Sequence, residues 1–376
     1  MATPACSQSP STGSLLPGIE GFAERVIAWQ RRAGRHGLPW QHTRDPYRVW
    51  LSEIMLQQTQ VATVLGYYER FLLRFPDVSS LALAPLDDVL AMWSGLGYYS
   101  RARNLHRCAC AVVDRHGGKF PFTAGELAEL PGIGRSTAAA IAAFCFGEHV
   151  AILDGNVKRV LSRVVGFDGD LAQAAQQRRL WDVANRLLPA PQLHEGSGPT
   201  SIAVYTQGLM DLGAGLCSLR SPICAECPVQ NVCVAARSGT AARYPVKTRK
   251  LRRSVRENLW LSLAWRDRLW LVRRPDQGIW AGLWSLCEFD PTVDLRAIAS
   301  GWPGSNRELA PFKHALTHLD WTLRPLQHQL PDELDEATVR SITATLPSGV
   351  DDRWFERGEV GSLGIPTALR RLLPDL

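Results

Sequence analysis

The stretch from residue 130 to residue 160 combines a turn suited to phosphate with a carboxylate. It reads LPGIGRSTAAAIAAFCFGEHVAILDGNVKRV, and its Gly-rich start opens a helix of small residues. Such a turn presents backbone N–H groups and a helix N-terminus to an anion, and Gly132 and Gly134 let the backbone approach closely. Asp154 stands eighteen residues after Ser136, at the head of a second helical segment. We therefore expect binding and chemistry to be linked here.

Asp154 fits two compatible roles. Aspartate is favoured at the N-cap of a helix, and GNVKRV follows it directly. A carboxylate in that position stays ionised because the helix dipole favours negative charge. The sequence therefore predicts an N-cap that is also a stable anion.

A second carboxyl precedes two glutamines. From Tyr47 to Leu72, apolar residues recur with the spacing of one helical face. On such a helix Glu53, Gln57 and Gln60 share a face, since they are four and three residues apart. A solvated side chain is the common state of a glutamate, because burial without a partner is costly.

Four of the nine cysteines lie within seventeen residues and indicate a ligand set. The spacing C-x6-C-x2-C-x5-C has one close pair, whereas structural zinc sites usually have two, and bacterial ferredoxin runs are tighter. The pattern favours a metal site and, modestly, a [4Fe–4S] cluster over zinc. These cysteines are Cys217, Cys224, Cys227 and Cys233.

Composition describes an ordinary globular chain of 376 residues, with 45% hydrophobic and 21% charged residues. No apolar run is long enough to span a membrane, and the N-terminus lacks the features of a secretory signal. The net charge is +6, and eight Lys or Arg with no acidic residue fall between residues 237 and 256. This block is either a solvated linker or a contact with a polyanion. We expect a cytoplasmic protein of bacterial type.

The periodicity of the hydrophobic residues changes after this basic block. Helical periodicity dominates before it, whereas NLWLSLAWRDRLWLVRR alternates around a polar turn as a β-hairpin would. Further strands are predicted at 284–289 and 319–326, and helices near 292–299 and 334–345. The predicted organisation is a disordered tail (1–18), a mainly helical region (19–236) with the cysteine loop (217–233), a basic linker (237–256) and an α+β domain (257–376).

The hairpin, the aspartate and the cysteine quartet, in this order, resemble the helix-hairpin-helix DNA glycosylases of the endonuclease III superfamily. Within it, SEIMLQQTQV (52–61), GLGYYSRARNLH (95–106), ILDGNVKRV (152–160) and the C-terminal domain resemble the MutY family of adenine DNA glycosylases. The resemblance covers nearly everything after residue 20. It implies a six-helix module, a [4Fe–4S] module and a Nudix-like domain, acting as a monomer on duplex DNA that holds an A:8-oxoguanine or A:G mispair.

The resemblance also assigns the two carboxyls. Glu53 matches the general acid that protonates the departing base, and Trp50 and Ile54 would supply an apolar environment that keeps its proton near neutral pH. Asp154 matches the carboxylate that stabilises the oxocarbenium-like sugar, with Asn156 close enough to assist.

Ser136 decides the expected reaction type. Bifunctional members of the superfamily have lysine at this hairpin position, and serine cannot form a Schiff base. The resemblance therefore implies a monofunctional glycosylase that leaves an abasic site. Lys158 either reacts adventitiously with that product or is an exposed side chain or phosphate contact.

Other positions match residues that contact DNA in the family. Gln57, Gln58 and Tyr98 match residues that read or wedge beside the mispair. Generic phosphate contacts are expected from Arg101, Arg103 and Arg220.

The C-terminal domain is expected to recognise 8-oxoguanine. FKHALTHLDW (312–321) has Thr317 where the family commonly has serine, followed by His318, and Leu319 replaces an aromatic residue. GIWAGLWSL (278–286) carries the rest of the match, but no cluster of glutamates for Mg²⁺ follows it. This domain is therefore expected to bind and not to hydrolyse.

Two rival functions remain. One is an oxidised-pyrimidine glycosylase/lyase like endonuclease III, against which Ser136 and the C-terminal domain argue. The other is a non-catalytic iron–sulfur protein that binds DNA, for which Glu53→Gln would leave every activity unchanged.

Overall fold

The structure is a computed structural model that describes residues 18–191, 199–248 and 253–376. The chain forms two compact units, Met1–Glu53 with Phe120–Lys250 and Ile54–Lys119 with Leu251–Leu376. The predicted disordered tail falls outside the described residues except for Gly18. The linear domain boundaries drawn from the sequence stay a prediction. Among the described residues, no helix has the length and apolarity needed to cross a membrane.

The described residues form sixteen α-helices and eight β-strands, besides shorter helical turns. The helices are α1 Phe22–Ala33, α2 Pro46–Leu56, α3 Val61–Arg74, α4 Val78–Leu83, α5 Leu86–Met92, α6 Ser100–His116, α7 Ala124–Leu127, α8 Arg135–Ile141, α9 Gly155–Val165, α10 Ala174–Arg186, α11 Ser201–Ala214, α12 Val234–Arg237, α13 Leu295–Ser300, α14 Glu336–Thr343, α15 Arg357–Val360 and α16 Thr367–Leu372. The strands are β1 Ser254–Trp265, β2 Arg268–Arg273, β3 Trp284–Ser285, β4 Cys287–Phe289, β5 Ser305–Glu308, β6 Phe312–Ala315, β7 Leu319–Leu330 and β8 Asp352–Glu356.

The first unit packs helices around α9 and α11. Helix α9 buries the apolar face formed by Val157, Val160, Leu161 and Val164 in this core. Helix α1 packs on α11 at Gly208, where an added Cβ would lie 2.6 Å from Val26 Cγ1. The absence of a side chain there lets the two helices approach closely.

The predicted helix through residues 47–72 is broken. Helix α2 ends at Leu56, α3 begins at Val61, and Gln58 between them has a φ of 58°. Glu53, Gln57 and Gln60 therefore do not share a helix face, and that prediction is wrong. The break has a physical cause: the Arg101 guanidinium donates to the carbonyls of α2's last turn, which would otherwise accept bonds from the next helical turn.

The second unit contains an eight-stranded mixed sheet with β1 and β7 at its centre. These two strands run parallel along their full length, from the pair Ser254 and Leu319 to the pair Trp265 and Leu330. Strands β1 and β2 form the predicted antiparallel hairpin, with Trp265 paired to Arg268 across the turn. The predicted strands at 284–289 and 319–326 and both predicted helices are present, so the α+β class is confirmed.

Helices α3–α6 belong to the same unit as this sheet. The Ile365 carbonyl accepts hydrogen bonds from Ser94 Oγ at 3.2 Å and from Tyr99 Oη at 2.9 Å. Arg103 donates to the Ala281 carbonyl at 2.7 Å. The loop that carries Tyr98 is thus anchored to the C-terminal part of the chain.

Candidate active site and DNA-reading loops

The Gly-rich hairpin lies between α7 and α8. Ile133 N donates to the Leu130 carbonyl at 3.1 Å, and Gly132 has a φ of 78°, a conformation that glycine adopts without strain. Gly134 is the N-cap of α8, so the predicted turn opens a helix of small residues. Its backbone is thereby shaped as a helix N-terminus that can receive an anion.

Asp154 caps helix α9. Its Oδ1 accepts a hydrogen bond from Val157 N at 2.7 Å, so the predicted N-cap is confirmed. The residue before it is held as well, since Leu153 N donates to Ser136 Oγ at 3.0 Å. Burial raises the pKa of Asp154, while the backbone hydrogen bonds and the charges of Arg159 and Lys158 lower it.

Glu53 lies near the end of α2 in a different environment. Desolvation, with a smaller contribution from the charge of Asp154, raises the pKa of Glu53 to about 8. One turn earlier, the fully buried Trp50 packs against Phe120 with ring centroids 5.2 Å apart. No hydrogen bond or cation among the described residues counters the desolvation of this carboxyl. Of the two carboxyls, Glu53 is therefore the one whose surroundings most favour the protonated form at neutral pH.

The two carboxyls thus differ in the groups around them that offset the cost of burying a negative charge. Asp154 has hydrogen-bond donors and two cations nearby, whereas Glu53 has neither within the part of the chain that the structure describes. Such a pair can divide the roles of acid and anion between its members.

Arg159 connects the segment after Asp154 to the cysteine loop. It donates to Asn156 Oδ1 at 3.0 Å, to the Gly213 carbonyl at 2.6 Å and to the Cys217 carbonyl at 2.9 Å. Nothing in the sequence pattern indicated this role, apart from the position of an arginine within a matching motif. Asn156 is thereby fixed in orientation beside the α9 N-terminus.

Lys158 is half-buried on α9. Its Nζ donates to Gln177 Oε1 at 2.9 Å, and burial lowers its pKa. The amine is therefore already engaged within the protein.

Cys145 is a neighbour of Glu53 that sequence reasoning missed. It lies in a π-helical segment, Ala142–Phe146, which continues α8. Burial and the charges of Asp45 and Glu53 raise the pKa of this thiol to about 12. The cysteine is thus a neutral group beside the carboxyl pair.

The four cysteines of the predicted ligand set line one cavity. Its other walls are mostly aliphatic and include Val160, Leu212 and Val229. Arg163 Nη1 donates to Cys217 Sγ at 3.3 Å. Within residues 18–191, 199–248 and 253–376, no group of three or more His, Cys, Asp or Glu is placed to hold a metal ion. The donors nevertheless suit a metal ion or an iron–sulfur cluster, since all four thiols line the same mostly apolar cavity. This cavity lies within the first unit, as do the four cysteines that line it, Cys217, Cys224, Cys227 and Cys233.

The second unit carries the residues expected to read DNA. Gln58 is exposed between α2 and α3, and Tyr98 is 44% exposed, with a φ of 49°. Thr317 and His318 are exposed in the turn between β6 and β7. Tyr98 Oη and Thr317 Oγ1 lie 2.6 Å apart in a hydrogen bond, so the structure brings two of these residues together. Gln57, half-buried, precedes Gln58 in the same turn.

Arg101 does not lie where a phosphate contact requires it. It is only 8% exposed, and its guanidinium donates to backbone carbonyls on two segments. The predicted phosphate contact is therefore wrong for Arg101. Arg103 is likewise committed to the Ala281 carbonyl, whereas Arg220 is exposed.

Comparison with known proteins adds two family matches. Residues 51–186 match a family described as HhH-GPD superfamily base excision DNA repair protein, and residues 259–375 match the NUDIX domain. A solved structure of a thermostable thymine-DNA glycosylase superposes with a TM-score of 0.51 at 26% identity, covering 59% of this chain and 97% of the other. The glycosylase fold and the Nudix-like domain expected from the sequence are therefore confirmed.

Several relatives match nearly the whole chain, and two of them show the range. The adenine DNA glycosylase of Buchnera aphidicola subsp. Acyrthosiphon pisum is 37% identical over 363 residues, which cover 94% of this chain and 97% of the relative. The adenine DNA glycosylase of Homo sapiens is 30% identical over 420 residues, covering 94% of this chain and 73% of the relative. With its hairpin, its pair of half-buried carboxyls and its Nudix-like domain, this chain belongs to the adenine DNA glycosylase family.

Proposed function

We propose that this protein is a monofunctional DNA glycosylase that removes adenine mispaired with 8-oxoguanine or guanine from duplex DNA. The observation that carries the proposal is the carboxyl pair, in which the pKa of Glu53 is raised to about 8 while Asp154 is surrounded by donors and cations. The relatives named adenine DNA glycosylase support adenine as the base.

Glu53 acts first, as general acid. It donates its proton to the adenine while the N-glycosidic bond breaks, and the bonding electron pair leaves with the base. Asp154, ionised, stabilises the oxocarbenium-like sugar that remains. Asn156, held by Arg159, supports the segment beside it. Water then adds to the anomeric carbon and returns a proton to the site, so the products are adenine and an abasic sugar.

The DNA backbone stays intact in this scheme. The hairpin offers a serine in place of an amine, and its hydroxyl is bonded to Leu153 N. Lys158, whose amine donates to Gln177, is not required for the reaction. The hairpin glycines Gly132 and Gly134 contact phosphate through their backbone.

Recognition of the mispair falls to the exposed residues of the second unit. Gln57, Gln58 and Tyr98 fill the space that the extruded adenine leaves, which lowers the cost of unstacking. Thr317 and His318 contact 8-oxoguanine. The C-terminal domain binds without hydrolysing, because it lacks the glutamate cluster that a catalytic Nudix site needs for Mg²⁺.

The four cysteines would hold a [4Fe–4S] cluster. Their four thiolates would tie together the loop from Cys217 to Cys233, and the bound cluster would thereby stabilise the fold. Measurement of iron, acid-labile sulfide and zinc in the purified protein tests this. About four irons per chain would support the cluster, whereas about one zinc per chain without iron would show that the cysteines bind zinc.

Single-turnover cleavage tests the function directly. Duplexes with A opposite 8-oxoguanine, G or T are incubated with the purified monomer, with and without alkali. We expect adenine release opposite 8-oxoguanine and G, and strand breaks only after alkali. Release of no adenine overturns the proposal. Strand breaks and borohydride trapping that persist in Lys158→Ala would instead indicate a glycosylase/lyase, and unchanged activity in Glu53→Gln would remove Glu53 from the mechanism.

A further inference from the structure

Arg101 lies in the second unit, on the first turn of α6, with both ends of its guanidinium occupied. Nη1 donates to the carbonyls of Ile54, Met55 and Gln57 at 2.9, 2.8 and 2.7 Å. These are the carbonyls at and just after the C-terminus of α2, where a cation is favoured and partners are lacking within the helix.

The second terminal nitrogen bonds both to the turn after α2 and to the loop before α6. Nη2 donates to the carbonyls of Leu96 and Gly97 at 3.2 and 3.1 Å and to Thr59 Oγ1 at 3.1 Å. The guanidinium also lies 5.2 Å from the centre of the Trp93 ring. One side chain therefore ties the turn after α2 to the loop before α6.

Each of these two segments holds a non-glycine residue in the left-handed region. Gln58 has a φ of 58° and Tyr98 a φ of 49°, conformations that ordinary side chains rarely adopt. Such conformations persist only where contacts with the surrounding structure hold the backbone in place, and they are concentrated at functional sites. Arg101 is bonded to the residue before each of them, Gln57 and Gly97.

We propose that Arg101 is a positioning residue that holds Gln58 and Tyr98 in a fixed relation, so that both are pre-organised to read the mispair. The proposal rests on the proposed function, which assigns those two residues to recognition. Arg101 itself does not contact DNA, since it is 8% exposed and both of its terminal nitrogens donate to groups within the protein.

The planar fork of arginine is what makes this bridge feasible. Its donors are fixed in two directions, whereas the single ammonium of lysine donates from one point. Lysine keeps the positive charge at the end of α2 but cannot reach both segments. Arg101→Lys therefore removes the hydrogen bonds that join the two segments while it keeps the positive charge.

The test measures binding and catalysis separately. Arg101→Lys and wild type are titrated for active sites, and then the Kd for a duplex with A opposite 8-oxoguanine, the Kd for an A:T duplex, and the single-turnover rate at saturation are measured. We expect the preference for the mispaired duplex to fall about tenfold, with the saturated rate of adenine release within about twofold of wild type. A merely structural role would lower the active fraction and leave the preference of the active molecules unchanged.

The matched control is Arg115→Lys, which makes the same change at an exposed position of the same helix. It should preserve both quantities. If Arg101→Lys is insoluble, Arg101→Ala assayed with and without added ethylguanidinium replaces it, and recovery of the preference supports the bridge. Wild-type preference in active Arg101→Lys, or no recovery in a folded Arg101→Ala, overturns the proposal. Absence of adenine release from the wild type would instead overturn the proposed function.

Discussion

The hydroxyl of Ser136 accepts a hydrogen bond from the backbone N–H of Leu153 at 3.0 Å. This bond joins the first turn behind the Gly-rich hairpin to the residue that immediately precedes Asp154. In the proposed function the hairpin backbone contacts a phosphate, and this bond would then link that contact to the position of a carboxylate. Ser136, which we propose accounts for the absence of Schiff-base chemistry, also holds the segment that carries Asp154.

Ser136→Ala should weaken both stability and excision. Leu153 is 2% exposed, so its N–H would lose its partner in a buried position, which costs about 1–3 kcal/mol. We expect a lower midpoint in urea unfolding and a slower single-turnover release of adenine. Ser136→Thr keeps the hydroxyl and is the control. Equal stability of the alanine and threonine variants would show that this bond does not support the segment.

Asp154→Asn keeps the N-cap of α9 but removes the negative charge of residue 154. Asparagine is as good an N-cap as aspartate, so the bond from Val157 N and the stability of α9 should be retained. Loss of the negative charge beneath the sugar should slow adenine release by at least about 100-fold. Thermal unfolding and single-turnover assays of the same preparation measure the two effects.

Asp154→Ala provides the comparison, because it removes cap and charge together. It should lose about 1 kcal/mol of stability that Asp154→Asn keeps. Near-normal excision by the asparagine variant would mean that the charge of Asp154 does not act on the sugar.

The rate of adenine release should fall at high pH. The pKa of Glu53 is about 8, so the acid is mostly protonated at neutral pH and is lost as pH rises through that value. We expect the single-turnover rate to drop about tenfold per pH unit above pH 8. A second, acidic limb should appear where Asp154 becomes protonated, above its ordinary pKa because burial raises it. A rate that stays constant from pH 7 to pH 10, with duplex binding intact, would exclude Glu53 as the proton donor.

Local signals predicted much of the site. Asp154 as N-cap, the hairpin at Gly132 and the turn between Trp265 and Arg268 each depend on residues within a few positions of one another. The identity of the residues and the geometry of short turns determine such features. They could therefore be predicted before any tertiary contact was known.

Long-range contacts determined what the sequence could not predict. Helical spacing continues through Gln57 and Gln60, yet α2 stops because Arg101, more than forty residues later, binds its last carbonyls. Cys145 came beside Glu53 through the packing of a π-helical segment that no local pattern marked. In both cases the deciding partner is distant in sequence, and periodicity carries no information about it.

Tyr98 and Thr317 should act as a coupled pair in lesion recognition. Their hydroxyls are hydrogen-bonded at 2.6 Å, so removing either one breaks the same interaction. We expect Tyr98→Phe and Thr317→Val each to lower the preference for 8-oxoguanine over guanine opposite adenine. The double variant should lose less than the sum of the two single effects. Competition binding with the two duplexes gives all four values, and strict additivity would show that the bond plays no part.

Glu53→Gln should stabilise the protein increasingly as pH rises. The folded pKa of about 8 exceeds the ordinary value of 4.5. Stability from protonated Glu53 is therefore fully present below pH 4.5 and is lost as pH rises from there through 8, because over this range the unfolded chain releases a proton that the folded protein retains. Glutamine removes this loss, which is on the order of a few kcal/mol.

Urea unfolding of Glu53→Gln and wild type at pH 6, 7, 8 and 9 measures the difference. We expect the advantage of the variant to grow from pH 6 to pH 8 and to level off above it, while adenine release is abolished at every pH. The exposed Glu129, changed to glutamine, is the matched control in the same unit and should show no such trend. An advantage that is constant with pH would mean that Glu53 is ionised in the folded protein, and the role of general acid would then have to fall to another group.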